Sequence, residues 1–190
     1  MYVIIVPMAS QLWTIGHSTR PIEAFIGLLR AHGIRILVDV RRFPVSRRYP
    51  HFDAEPLAQS LWEAGVLYRP MPELGGRRKS RPDSVNLGWR SDGFRGYADY
   101  MQTDDFRGAL GELMACGESG PTAVMCAEAV PWRCHRSLIA DALVSRGWEV
   151  RHIVSGAEAQ PHQLTSFAKV DNGLLIYPGP PDGSSTPRLF

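Results

Sequence analysis

Lysine is nearly missing from this chain. Of its 21 basic residues only Lys79 and Lys169 are lysines; the other 19 are arginine. A GC-rich genome produces that bias everywhere at once, so the distribution of arginines carries more than their number. Long apolar runs are also missing. Nothing approaches the length of a transmembrane helix, so no membrane role is expected. The apolar patch YVIIV within Met1–Ser10 lacks a basic flank, which argues against a signal peptide. It is left as an extra strand, a disordered start or an upstream misplaced start codon. Cysteine is scarce. There are three, an odd number at spacings that suggest no disulfide framework, and a reducing cytoplasm is expected. Walker and GxGxxG signatures are absent, as is any internal repeat, which removes the common sequence signs of nucleotide folds and repeat arrays.

What remains is an alternation. With 190 residues, 44% of them apolar, the chain can bury one core. Gln11–Ile15 reads as a strand. Pro21 then opens a helix to about His32, with Ser18 or Thr19 as its cap and Gly33 as its stop. Ile34–Val40 (IRILVDV) reads as a buried strand, Glu55–Ala64 as a helix and Val66–Arg69 as a third strand. A Gly-, Pro- and Arg-rich excursion runs from Pro70 to about Gly96. Phe106–Met114 sits in a helix, Thr122–Cys126 is a strand, a helix follows His135, and Glu149–Val154 is a strand. Gln160–Ala168 is expected as one last helix. Strands alternating with helices predict a three-layer α/β fold around a mainly parallel sheet of about five strands, Rossmann-like in the loose sense. The expected organisation is an N-terminal extension (1–12), a single α/β domain (13–169) and a Pro/Gly-rich C-terminal extension (170–190).

In such a sheet the carboxyl ends of the strands share one edge, where ligands bind. The strand ends here are all polar or ionisable. The first leads to His17, Ser18, Thr19 and Arg20, the second to Asp39, Arg41 and Arg42, the third to Glu73 and Arg77, and the fourth to Cys126 and Glu128. One such turn means nothing; four predict a composite site. The densest is Met125–Ser137 (MCAEAVPWRCHRS), which gathers two thiols, a carboxylate, an imidazole and two guanidinium groups. Each member also has a plain structural reading. His17 can hydrogen-bond a turn, Asp39 can pair with Arg41, Glu73 can neutralise Arg77, and Cys126 can be an inert buried thiol.

Arginines gather between Arg41 and Arg95, where basic residues exceed acidic ones by five. Arginine suits bidentate contact with phosphate or carboxylate. The loop RRFPVSRRYPHF alternates Arg41, Arg42, Arg47 and Arg48 with Phe43, Tyr49 and Phe52. That pattern fits base stacking between phosphate contacts, or a solvated basic face.

Five motifs in order, IGHSTRP, LVDVRRFPVSRRYPHF, PELGGRR, GFRGYADYM and MCAEAVPWRCHRSLIADAL, resemble the domain-of-unknown-function family 488. The resemblance spans about residues 14–168. It implies a microbial α/β protein and no particular activity. A weaker likeness links LVDVR and the cysteine loop to rhodaneses, where a loop cysteine carries a persulfide. The loop here departs from theirs: it is longer, holds Pro131 and Trp132, and has Glu128, Ala129 and Val130 where a glycine-rich cradle is expected. A phosphatase-type loop also fails, because Arg133 lies seven positions after Cys126 and Arg136 only two after Cys134.

Three classes of function follow. The first is a thiol-dependent enzyme acting on a phosphorylated compound, a nucleotide or a nucleic acid. Cys134 is its nucleophile, activated beside a helix start by Arg133, His135 and Arg136, with Glu128 as general acid or base and His17 and Cys126 close by. Ser18, Arg20, Asp39, Arg41, Arg42, Arg47, Arg48, Tyr49, Glu73, Arg77 and Arg136 bind substrate in that reading. The second is a zinc site from Cys126, Cys134, His135 and His17, at spacings unlike the usual short Cys-x-x-Cys; beyond it no cofactor is indicated. The third is a non-catalytic nucleic-acid or anion-binding module. Rhodanese-like sulfur transfer stands as a variant of the first class.

Overall fold

In a computed structural model, which describes residues 10–180, the central sheet is six-stranded in the order β3-β2-β4-β1-β5-β6. The strands are β1 (Gln11–Gly16), β2 (Ile36–Asp39), β3 (Leu67–Pro70), β4 (Thr122–Cys126), β5 (Glu149–Ile153) and β6 (Gln160–Pro161). The first five are parallel; the two-residue β6 pairs antiparallel at the edge. The helices are α1 (Ile22–Ala31), α2 (Ala54–Glu63), α3 (Asp92–Tyr100), α4 (Asp104–Ser119) and α5 (Arg136–Val144). The YVIIV patch and the end of the chain beyond residue 180 lie outside the described residues.

Strand alternation sorts the core into two halves, because successive side chains point to opposite faces. Leu37, Ala123, Met125 and Ile153 pack with Phe25 and Leu29 of α1 and Leu57 and Leu61 of α2. Ile36, Val38, Val124, Cys126 and Val150 pack with Tyr97 of α3, Phe106, Leu110 and Leu113 of α4, and Leu138, Ile139 and Leu143 of α5. This is the three-layer α/β arrangement the alternation predicts. Among the described residues no helix is long and apolar enough to cross a membrane.

Several local expectations are corrected. Helix α1 is preceded by Pro21, with no side-chain cap from Ser18 or Thr19. Helix α3 lies where a loop is expected, within a stretch carrying two glycines. Gln160–Ala168 is not a helix. It gives β6 and then coil, because His162 and Thr165 spend their hydrogen bonds on Asp141. Leu12 is fully buried. A hairpin of β7 (Lys169–Asp171) and β8 (Leu174–Ile176) brings Leu175 and Tyr177 into the core beside Trp89.

Chain order and sheet order part between β1 and β4. The β1–β2 connection runs to one side over α1, and the β4–β5 connection to the other over α5, so a crevice opens at the strand ends between them. The two ends are stitched together: His17 N–H donates to the Cys126 carbonyl (3.0 Å) and Ser18 N–H to the Ala127 carbonyl (2.9 Å). Only glycine fits at the crossing. A Cβ on Gly16 would fall 1.7 Å from the Glu128 carbonyl oxygen, which is backbone and cannot swing away. Gly16→Ala should therefore cost ~3 kcal/mol or more and speed amide exchange at His17 and Ser18. An unchanged urea midpoint would show that the loop after β4 yields freely.

Candidate active site

A cleft of about 570 Å³ occupies this switch point, a volume suited to a small-molecule ligand. Its walls come from all four strand ends: His17–Thr19 after β1, Arg41–Phe43, Val45, Ser46, Arg48 and Tyr49 after β2, Gly76 and Arg77 after β3, and Cys126–Ala129 after β4, joined by Cys134 and His135. Ser18 (φ 52°) and Arg77 (φ 59°) both sit in the left-handed backbone region although neither is glycine. Such strain costs of order 1 kcal/mol each and gathers at functional sites.

On the floor, Cys126 Sγ and Cys134 Sγ are 2.7 Å apart, both buried and both free thiols. A 3-10 turn at Pro131–Arg133 folds the loop back so that Cys134 returns to the end of β4. Arg136 Nε donates to Cys126 Sγ (3.0 Å), and the Glu128 N–H does so at 3.3 Å. His135 Nδ1 lies 3.5 Å from Cys134 Sγ. Its ring packs on Tyr97 and fills the space a Gly76 Cβ would take. His135 Nε2 is buried and has no partner among the described residues.

The two thiols do not ionise alike. Burial alone would raise Cys134, but hydrogen bonds from Cys126 and His135 and the charges of His135 and Arg136 outweigh it and hold it well below the usual thiol value. Burial, then the hydrogen bond and charge of Cys134, push Cys126 well above it. The two thiols are coupled, and their surroundings favour negative charge on Cys134 over Cys126.

Arg136 is only 1% exposed, the largest fully buried side chain among the described residues. Each of its nitrogens has a separate acceptor: Nε the Cys126 sulfur, Nη1 the Thr14 hydroxyl (3.3 Å) and Nη2 the Glu128 carbonyl (2.6 Å). Behind it runs a buried polar chain. Thr14 Oγ1 meets His152 Nδ1 (2.7 Å), His152 Nε2 meets His162 Nδ1 (2.9 Å), and His162 Nε2 donates to Asp141 Oδ1 (2.8 Å). Asp141 also accepts from the hydroxyls of Thr165 and Tyr177. Sequence reasoning named none of Thr14, Asp141, His152 and His162; they are far apart in the chain, and no local pattern joins them.

Across the cleft, Asp39 (1% exposed) grips Arg41 through Nε (2.9 Å) and Nη2 (2.7 Å) and takes the Tyr68 hydroxyl (2.8 Å). Asp39 therefore positions Arg41 and does not line the cleft. Arg41 Nη2 also ties down the Phe52 carbonyl (2.7 Å). His17 stacks on Phe52 at 4.2 Å, with Nδ1 3.0 Å from the Ser18 carbonyl and Nε2 facing Arg41 Nη1. Nδ1–H is the donor in this network, so the ring is neutral and Nε2 accepts.

Burial, then the Arg41 charge, lowers the His17 pKa from 6.5 to about 4. Burial, then the neighbouring His162 and Arg136, lowers His152 to about 3. The unfolded chain takes up both protons near pH 6.5 and the folded protein only near 4 and 3. Their contribution to stability is full above pH 6.5 and falls away as pH drops toward 4. At ~1.4 kcal/mol per unit, His17 alone accounts for roughly 3 kcal/mol. Urea midpoints at about pH 7 and pH 4.5 should differ accordingly, and His17→Gln should flatten part of the slope. Equal midpoints in the parent protein would show that neither imidazole is held neutral.

The rim carries Arg42, Arg48 and Arg77. All are exposed, and among the described residues none pairs with a carboxylate. Glu128 is the exposed acid of the lining. Other expected site residues fall elsewhere. Arg20 is spent on the carbonyls of Gly16 and Val154. Arg47 and Glu73 are exposed outside the cleft. Phe52 is wholly buried under His17 and cannot reach a ligand base, whereas Phe43 is 64% exposed. Among the described residues no group of three or more His, Cys, Asp or Glu is placed to hold a metal ion.

Fold and cleft together define a class: an open α/β protein with paired thiols on the floor of an arginine-rimmed cleft at its switch point. Residues 21–143 match the family described as Domain of unknown function DUF488, and the chain belongs to that family. The matched stretch takes in the Arg41–Phe52 loop, Arg77 and both cleft cysteines; His17 and Ser18 precede it. Comparison with curated proteins gives no match, and neither does comparison with solved structures.

Proposed function

We propose that the protein is a thiol enzyme acting on a small anionic substrate, a phosphorylated compound or nucleotide in the first instance. One observation carries this reading: two thiols 2.7 Å apart lie against a buried guanidinium and open into a cleft rimmed by arginines that meet no carboxylate among the described residues. Cys134 is the nucleophile. Arg136 holds the negative charge in the pair, and Arg42, Arg48 and Arg77 receive the anionic part of the substrate. Glu128, exposed at the mouth, is placed to move a proton to or from a leaving group.

The test compares alkylation by iodoacetate, an anion, with neutral iodoacetamide. Cys134 should react first at neutral pH. Its preference for iodoacetate should exceed that of free cysteine by about tenfold, the scale of ~1.4 kcal/mol of favourable field. Inorganic phosphate should suppress the excess. Cleft thiols that stay silent until the protein is denatured would remove the enzyme reading.

A second reading, a nucleic-acid-binding module, is supported by the rim itself, where Arg42 lies over Phe43 and Arg48 over Tyr49. It predicts salt-dependent binding of short single-stranded oligonucleotides that Arg48→Ala weakens, without covalent turnover.

A further inference from the structure

We infer that Cys126 is a resolving thiol, and that the cleft performs dithiol–disulfide exchange on low-molecular-weight disulfides carrying carboxylate or phosphate groups. The inference rests on the nucleophilic role of Cys134 just proposed and adds the chemistry of its partner. A single-thiol enzyme has no need of a second sulfur at the nucleophile. Here the second sulfur is 2.7 Å away, lines the same cleft and has donors of its own. Cys116, the third cysteine, lies on α4 and takes no part.

The steps balance as follows. The Cys134 thiolate attacks one sulfur of the substrate R–S–S–R. The Cys134–S–SR bond forms, the S–S bond of the substrate breaks, and RS⁻ leaves. Cys126 then gives up its proton, which neutralises the departing thiolate, and attacks Cys134 Sγ. The Cys126–Cys134 bond forms and the second RS⁻ leaves, taking a proton from solvent. Two electrons pass from the enzyme dithiol to the substrate, which is released as two thiols. A reducing dithiol must then restore the pair.

The surroundings of Cys126 order these steps. Before reaction burial, and then the hydrogen bond and charge of Cys134, hold the Cys126 thiol above its usual range. Once Cys134 is joined to substrate that charge is gone. Arg136 Nε and the Glu128 N–H, both already directed at Cys126 Sγ, are left to stabilise a thiolate there. The second thiol is thus activated only after the first has reacted, which suppresses futile attack. The arginine rim selects anionic disulfides, and the cleft volume limits them to small ones.

The probe is 5,5′-dithiobis(2-nitrobenzoate), an anionic aromatic disulfide, applied to the folded full-length protein in a Cys116→Ser background. The expected result is fast release of two thionitrobenzoate anions per chain. Intact mass should then show no adduct and a loss of two hydrogens, and peptide mapping should find Cys126 joined to Cys134. The rate relative to neutral 4,4′-dithiodipyridine should exceed the same ratio for free cysteine by about tenfold. Cys126→Ser should release one anion and keep the other as an adduct on Cys134. The double-release and mass results on the Cys116→Ser protein stand without that variant if it does not fold. A single release leaving a stable adduct on Cys134 would overturn the resolving role while leaving the nucleophile intact. Silence toward the disulfide with brisk labelling by iodoacetate would also overturn it. Silence toward both reagents would remove the proposed function together with this inference.

Discussion

Arg136→Met should leave a much less stable protein whose cleft thiols react slowly in the folded state. The expected loss is about 3–5 kcal/mol, the range for taking one partner from a buried charged cluster. Methionine matches the length of the stem but leaves the Glu128 carbonyl and the Thr14 hydroxyl without their donor and takes the positive charge from the sulfur pair. Iodoacetamide labelling of Cys134 at neutral pH should slow at least tenfold, because that charge helps hold the thiolate. Arg136→Lys should not rescue the rate, since one ammonium cannot reach three acceptors lying in three directions. An Arg136→Met protein with parental urea midpoint and labelling rate would show that the guanidinium is incidental to both.

Asp39→Asn should cost nearly as much by another route. The side chain keeps its shape but loses the charge opposite a largely buried Arg41, and its amide turns a donor toward donors. A loss of about 3–5 kcal/mol is expected. The loop after β2 should loosen with it, because Arg41 also pins the Phe52 carbonyl. Asp39→Asn combined with Arg41→Met should recover part of the loss, as expected when both members of a buried pair are made neutral. If the double variant is as unstable as the sum of the single ones, the two side chains act independently, and Asp39 matters for Tyr68 instead.

The sheet was legible because its inner strands carry short apolar runs with an abrupt polar end. Ile34–Val40 and Thr122–Cys126 read as buried on both faces, and the strands within them are. Helix α3 escaped notice because its two glycines look like loop, although Gly96 is there for close approach to the backbone of Arg78 and Lys79. The last strands escaped because β6 is two residues long, β7 and β8 are three each, and the hairpin is tied to the domain through Tyr177 just beyond it. The cleft was legible as an edge, since strand ends must meet there. Its inner wiring was not. Whether an arginine faces the cleft or a carbonyl is settled by packing, which separates Arg20 from Arg48. Cys126 and Cys134 share one loop in sequence, yet their contact depends on the 3-10 turn at Pro131–Arg133.

The place of β1 also has a consequence for how the molecule is made. β1 is the first described strand, but both its neighbours, β4 and β5, come from the far half of the chain. A ribosome releases β1 more than a hundred residues before the start of β4. At about 5–20 residues per second that is a wait of roughly 5–20 s. Throughout it, an apolar strand is out in the cell with no slot to enter. Chains that stall before Thr122 hold that strand permanently unpaired, which makes them clients for chaperones and seeds for aggregation. Full-length synthesis, rather than any stable half, is the unit in which this fold can be produced.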